Sequence, residues 1–239
     1  SPVRLQKSTG NCLYQERILL YMNYDSVPLR DFKELNDWET VIFVYQSALK
    51  QVETKIDILN GEFQHRHKYN PIEHVKSRIK TPESIVKKLK RHGYESSIEN
   101  MVRYVNDIAG IRISCSFTSD IYLIADMISK QNDLTILARR DYMKNPKKSG
   151  YRSYHMLVTT PVFLSDSIID TKVEIQIRTV AQDFWATLEH KMHYKFEGDG
   201  PDYITKELRE CARYVAELDT RMEELNNEIQ KYGKLSDKK

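Results

Sequence analysis

Three groups of polar side chains stand at spacings suited to chemistry on a phosphorylated substrate. The first is Arg78, Lys80, Ser84 and Lys88, spread over a stretch that reads as a strand feeding a helix. The free N–H groups and dipole of a helix N-terminus favour phosphate. Lys88 follows Ser84 by four residues, so hydroxyl and ammonium share one helical face and can serve the same phosphate chain. The second group lies in Pro146-Lys147-Lys148-Ser149-Gly150-Tyr151-Arg152-Ser153-Tyr154-His155, a turn leading into a strand on which Tyr151, Ser153 and His155 share a face. An exposed tyrosine among cations suits a stacked base beside phosphates, a contact worth roughly 1–3 kcal/mol. The third is the carboxylate pair Asp107 and Glu174, placed with Arg112 and Arg178 on the polar side of two predicted strands. Two acids facing a phosphate site suit Mg2+, which takes oxygen ligands and leaves much of its shell to water and substrate phosphate. Either acid is also able to take a proton from an attacking hydroxyl.

The elements that must position these groups are legible as periodicities. Trp38, Ile42, Tyr45, Leu49, Val52, Ile56 and Leu59 form one stripe of a long helix predicted to end near Gly61. A second stripe runs through Leu208, Ala212, Val215, Leu218, Met222, Leu225, Ile229 and Tyr232, with Gly233 as a C-terminal stop. Both stripes predict core packing, and the second is long enough to suit a partner helix as well. Between them the period falls to two, the mark of half-buried strands. Ile111, Ile113, Cys115 and Phe117 share one face against Arg112, Ser114 and Ser116, and Val173, Ile175 and Ile177 oppose Glu174, Gln176 and Arg178. Segments 75–80, 134–140 and 154–162 also read as strands, the last closed by Pro161. Thr81 and Pro82 open a helix that Gly93 ends, and residues 120–131 and 181–196 add two more. The expected fold is α+β, one domain, with a mixed, mostly antiparallel sheet packed on one side by helices. Segment 1–33 shows no clean periodicity, and 234–239 is expected to fray.

Composition narrows the classes further. The chain has 239 residues, 40% of them hydrophobic, with 8 Gly, 7 Pro and a net charge of +3, which excludes a disordered, collagen-like or disulfide-scaffold protein. Cys12, Cys115 and Cys211 are too far apart for a disulfide framework or a zinc-finger spacing. No apolar run approaches the roughly 18–20 residues of a membrane span, so the expected location is cytoplasmic, with no membrane partner. The small net charge hides an asymmetry: residues 71–92 carry seven bases against two acids, whereas residues 197–228 carry ten acids against four bases. The middle of the chain is built for anions.

Taken together, Arg78-Ile-Lys80…Ser84…Lys88, Asp107-Ile-Ala-Gly-Ile-Arg112, Asp141-Tyr…Pro146-Lys147…Gly150-Tyr151-Arg-Ser-Tyr-His155 and Glu174-Ile-Gln-Ile-Arg178…Asp183-Phe-Trp-Ala-Thr-Leu-Glu-His190 resemble the synthetase domain of RelA/SpoT-type alarmone enzymes. With helices on both sides, the chain looks like a small alarmone synthetase. The resemblance implies a nucleotidyltransferase-like fold and Mg2+-dependent transfer of the ATP β,γ-pyrophosphoryl group to the 3′-hydroxyl of GDP or GTP. It implies that Arg78 and Arg112 sandwich adenine, that Lys80, Ser84 and Lys88 hold the ATP phosphates, and that Asp107 and Glu174 hold the metal. Glu174 also matches the acid that deprotonates the acceptor hydroxyl. Tyr151 matches the guanine-stacking tyrosine, Lys147 an acceptor-phosphate contact, His155 a donor to the transferred phosphates, and Gln176 a supporting polar residue. Ser149 stands where the family commonly has Asn, which leaves the choice of GDP or GTP open.

The resemblance further implies a homotetramer and a single synthetase domain over 1–239, with its core at about 72–196 and helical extensions at 36–61 and 203–233. The family's hydrolase domain uses a His-Asp doublet, and no His is followed by Asp in this sequence. A non-catalytic RNA-binding protein using the same basic and aromatic face remains an alternative, as does an inactive scaffold. RNA binding can also coexist with catalysis. Acids on the phosphate-binding face argue for catalysis, because they weaken RNA binding unless a metal intervenes.

Overall fold

Asp37 opens the described part of the chain as a helix cap, its carboxylate accepting from Thr40 N at 2.7 Å. The computed structural model describes residues 37–195 and 202–236, so the aperiodic segment 1–33 and Cys12 lie outside the described residues. Helix α1, Trp38–His67, buries Val41, Val44, Tyr45, Ala48, Leu49, Val52 and Ile56. It runs past Gly61, where a side chain would meet nothing within 4 Å, and stops at Lys68 in the left-handed region (φ 51°). The Glu62–Arg66 ion pair and the Phe63–His67 ring contact carry the last turns beyond the glycine.

The remaining order is β1 Ile72–Ile79, α2 Pro82–Arg91, α3 Ile98–Tyr104, β2 Ala109–Cys115, α4 Thr118–Ser129, β3 Thr135–Asp141, β4 Tyr154–Phe163, β5 Ile168–Thr179, α5 Val180–Lys195 and α6 Asp202–Ser236. The sheet order is β1-β2-β5-β4-β3; β2 and β5 run parallel and the other pairs antiparallel, as the mixed α+β expectation requires. Thr81 caps α2 by accepting from Ser84 N, with Pro82 first in the helix. Helix α3 escaped the pattern search because seven residues hold under two turns of periodicity. Pro161 does not close β4, which continues to Phe163. Pairing with β3 already ends at Thr159, so the missing N–H of Pro161 leaves no partner unsatisfied on that side.

Helices α1 and α4 cover the face formed by Ile111, Ile113, Cys115, Met156, Val158, Val173, Ile175 and Ile177, all buried. The opposite face is polar but not open along its whole length. Helix α5 packs on β5 and β2 there, and Ser114, Ser153 and Arg178 are buried with at most 2% exposure. Phe117 is not a strand residue; it sits at the start of α4.

The C-terminal stripe divides. Ala212 is buried and Leu208 and Val215 are half-buried, whereas Leu218, Met222, Leu225 and Ile229 are exposed. Core packing therefore accounts for only the first half of the line. Helix α6 also runs through Gly233 to Ser236. Cys115 is buried and Cys211 exposed, both as free thiols. Among the described residues no helix is long and apolar enough to cross a membrane.

Candidate active site

Strand register assembles the polar face. Arg78 pairs with Gly110, Gly110 with Glu174, Arg112 with Gln176, and Gln176 with His155, so these side chains rise from the same side of four adjacent strands. Gly110 leaves a gap in the floor between Arg78 and Arg112: a Cβ there would come no closer than 4.0 Å to Arg78 Cγ. Arg78 is exposed and Arg112 half-buried, on either side of that glycine.

Asp107 stands between α3 and β2, where two lysines converge on it. Lys80 Nζ donates to Oδ2 at 2.9 Å from just beyond β1, and Lys88 Nζ donates to Oδ1 at 2.7 Å from α2. The Lys80 backbone N–H bonds Ile108 O at 2.8 Å and so carries the sheet pairing one residue past β1. Burial alone would raise the Asp107 pKa, but the charges of Lys88 and Lys80 hold it down at about 2. Ser84 is exposed, its hydroxyl paired with that of Thr81. Behind Asp107, the buried Lys172 of β5 donates to Arg103 O at 3.1 Å and Asn106 Oδ1 at 2.9 Å, pinning the segment that presents the carboxylate.

Glu174 heads a second chain of contacts. Gln176 Nε2 donates to Glu174 Oε2 at 2.9 Å, and Arg178 Nη2 donates to Gln176 Oε1 at 2.9 Å. His155 Nδ1 lies 3.7 Å from Glu174 Oε1, and its Nε2 is 2.9 Å from the Tyr151 hydroxyl. Burial pushes the Glu174 pKa up, but His155 and Gln176 outweigh it and hold the group below its usual value. The His155 pKa is lowered by burial, which outweighs the opposing pull of Glu174, and Lys147 and Arg178 add to the lowering. At neutral pH the pair is therefore a carboxylate beside an uncharged imidazole. The charge of Asp107 opposes ionisation of Glu174, so a cation between them relieves both. Two carboxylates beside lysines fit Mg2+, an ion that takes few protein ligands and fills its shell from water and phosphate oxygens.

Around the turn at residues 146–151, Lys147 Nζ lies 4.8 Å from the ring centroids of both Tyr142 and Tyr151, and Arg178 Cζ lies 5.6 Å from that of Tyr151. Tyr151 is half-buried rather than exposed, packed against Trp185, Ala186 and Ala212. Ser149 Oγ accepts from Tyr151 N at 3.4 Å, so this serine supports its own turn.

Residues 77–199 match the model of the region found in RelA / SpoT proteins. The chain is 45% identical to the GTP pyrophosphokinase YwaC of Bacillus subtilis over 195 residues, covering 82% of this chain and 93% of the relative. The chain belongs to the RelA/SpoT family of GTP pyrophosphokinases. Its fold is similar to that of small alarmone synthetase 1 from Bacillus subtilis bound to its product pppGpp, with a TM-score of 0.75 and 34% identity over 81% of this chain and 98% of that one. The same synthetase bound to AMPCPP gives a TM-score of 0.69 and 33% identity, again over 81% and 98%.

Arg78, Arg112, Glu174, Gln176 and His155 share one sheet face, and eight of the eleven predicted site residues fall into two contact groups, with Arg78, Ser84 and Arg112 in neither. Lys80, Lys88 and Asp107 form one; Lys147, Tyr151, His155, Glu174 and Gln176 form the other. Asp183 opens one of the motifs that carry the resemblance but has no predicted role; its Oδ1 lies 3.6 Å from both Arg112 Nε and Arg178 Nε. Those three atoms are buried without a hydrogen bond, so at the two Nε atoms the arginines meet Asp183 as ion pairs only. Lys172 gave no signal, since a lysine two residues before Glu174 reads as one more surface base.

Proposed function

We propose that this enzyme moves the β,γ-pyrophosphoryl group of ATP as a unit to the 3′-hydroxyl of GDP or GTP. The acceptor oxygen attacks the β-phosphorus, the bond from that phosphorus to the α,β-bridging oxygen breaks, and AMP leaves with that oxygen. The acceptor proton passes to Glu174. The observation that carries this reading is the pair of carboxylates, Asp107 and Glu174, set on a face otherwise lined by cations. An RNA-binding surface gains nothing from two acids there.

Each side chain has a part that its position supports. Arg78 and Arg112 clasp adenine over Gly110. Lys80, Ser84 and Lys88 hold the triphosphate, the two lysines exchanging Asp107 for phosphate oxygens as ATP enters. Asp107 and Glu174 would hold Mg2+, which when bound would neutralise charge on the transferred phosphates. Lys147 meets the acceptor phosphates and Tyr151 stacks on guanine. His155, linked to both Tyr151 and Glu174, donates to the transferred group, while Gln176 fixes the Glu174 carboxylate for proton transfer.

The reading extends to organisation. The active unit is a single cytoplasmic synthetase domain, assembled as a homotetramer through the exposed apolar half of α6. Support for the nucleotides comes from the similar synthetase, solved with pppGpp and with AMPCPP. Incubation with ATP, Mg2+ and either GDP or GTP, followed by chromatography, tests the proposal. AMP and a 3′-pyrophosphorylated nucleotide are expected; an untouched acceptor together with salt-sensitive RNA retention on filters would favour the RNA-binding alternative.

A further inference from the structure

The turn bearing Lys147 and Tyr151 is closed by two backbone bonds, Gly150 N to Lys147 O at 2.8 Å and Lys147 N to Tyr151 O at 3.1 Å. Those bonds make it one unit, so Lys147 and Tyr151 move together. Gly150 adopts φ +93°, which disfavours any side chain, and its second constraint comes from across the domain. A Cβ on Gly150 would lie 2.5 Å from Ala212 Cβ and 3.8 Å from Arg209 O, both on α6. The turn therefore closes until it meets the helix.

Helix α6 is fixed on both sides of that contact. One turn earlier, Trp185 Nε1 of α5 donates to Leu208 O at 2.9 Å. Two turns later, Asp219 Oδ2 accepts from Thr179 Oγ1 at 2.9 Å and Gln182 Nε2 at 2.8 Å. Ala212 itself is buried with Trp185 and Ala186, and the Tyr151 ring packs on the same cluster. The family match ends at residue 199, before α6 begins.

We propose that Ala212 is a positioning residue for the acceptor nucleotide: it is the stop that sets how far the Lys147–Tyr151 turn closes, and thereby where Tyr151 meets guanine. This rests on the pyrophosphokinase reading and assigns α6 a part in that site. A larger side chain at 212 pushes the turn away from the sheet, whereas the ATP-side residues Arg78, Lys80 and Lys88 lie on β1, just beyond it and on α2, and stay in place.

Steady-state kinetics of Ala212→Val, Ala212→Gly, Gly150→Ala and the double variant Gly150→Ala/Ala212→Gly test the proposal, with circular dichroism confirming the fold of each. Ala212→Val should raise the acceptor KM by roughly 10- to 100-fold, the range for a small displacement of a binding group, with the ATP KM and the saturated kcat nearly unchanged. Gly150→Ala should do the same, and Ala212→Gly in that background should recover part of the loss. Equal rises in both KM values, no change at Ala212→Val, or a double variant no better than Gly150→Ala would each overturn the proposal. Absence of turnover in the unaltered enzyme would instead overturn the pyrophosphokinase reading beneath it.

Discussion

Replacing Asp107 by Asn removes one charge from the point where two lysines meet, and the consequences separate stability from catalysis. The Asp107 side chain is 20% exposed, and those of Lys80 and Lys88 are 18% and 13% exposed, so water screens the two contacts only partly. A carboxyl held at about 2 instead of its ordinary 3.8 stabilises the fold by roughly 2–3 kcal/mol. Because the folded-state pKa is depressed, that contribution is complete above the unfolded value near 3.8 and is lost as pH falls towards 2. Asp107→Asn should therefore lower the melting temperature at pH 7 by roughly 5–10 °C for a domain of this size. In denaturant titrations the gap between variant and parent should narrow below about pH 4. Turnover should be lost, yet ATP without Mg2+ should bind at least as tightly as before, because the lysines no longer have to leave a carboxylate. Unchanged stability at pH 7, or a gap that persists undiminished into acid, would refute the ion-pair account; weaker metal-free ATP binding would refute the exchange of Asp107 for phosphate.

Other substitutions probe the remaining roles. Glu174→Gln keeps the shape and the hydrogen bonding to Gln176 but removes the base, and should lower turnover by roughly 10²–10⁴-fold with the fold intact, as stopped-time AMP assays would read; near-normal turnover would exclude the role. Tyr151→Ala should weaken GDP and GTP binding by roughly 1–3 kcal/mol with ATP affinity nearly unchanged, and Arg78→Ala should show the reverse in calorimetric titrations; equal losses for both nucleotides at Tyr151 would mean the site is misassigned. Leu225→Asp, on the exposed half of α6, should lower the mass seen by light scattering while keeping the helical far-UV signal; an unaltered mass with a depressed melting temperature would reject that interface.

What was legible in the sequence is what local periodicity and chain order record. Alternation around Ile111 and Ile175 marked two strands with one core face, and the same alternation placed Arg112, Glu174 and Gln176 together on the other. Capping chemistry at Thr81 and Pro82 fixed the start of α2. The boundaries that differ lie at Gly61, where the i,i+4 contacts Glu62–Arg66 and Phe63–His67 carry the helix on, at Gly233 and at Pro161. Gly61 and Gly233 did not stop their helices, and Pro161 did not stop β4, because a strand whose neighbour on one side has already ended tolerates a missing N–H. The roles of Lys172 and Asp183 are not legible in the sequence because they depend on partners far away along the chain: Arg103 and Asn106 for one, Arg112 for the other. The contact between Gly150 and Ala212 is equally hidden in the sequence, since it joins a turn to a helix some sixty residues further on.

The most direct test of pyrophosphoryl transfer follows the phosphates themselves. With ATP labelled at both the β and γ positions, Mg2+ and GDP or GTP, phosphorus NMR should show both labels arriving together on the 3′-oxygen of the acceptor, one AMP being released for each product formed. Accumulation of ADP with only the γ label transferred, or an acceptor left unmodified while both nucleotides bind, would contradict it.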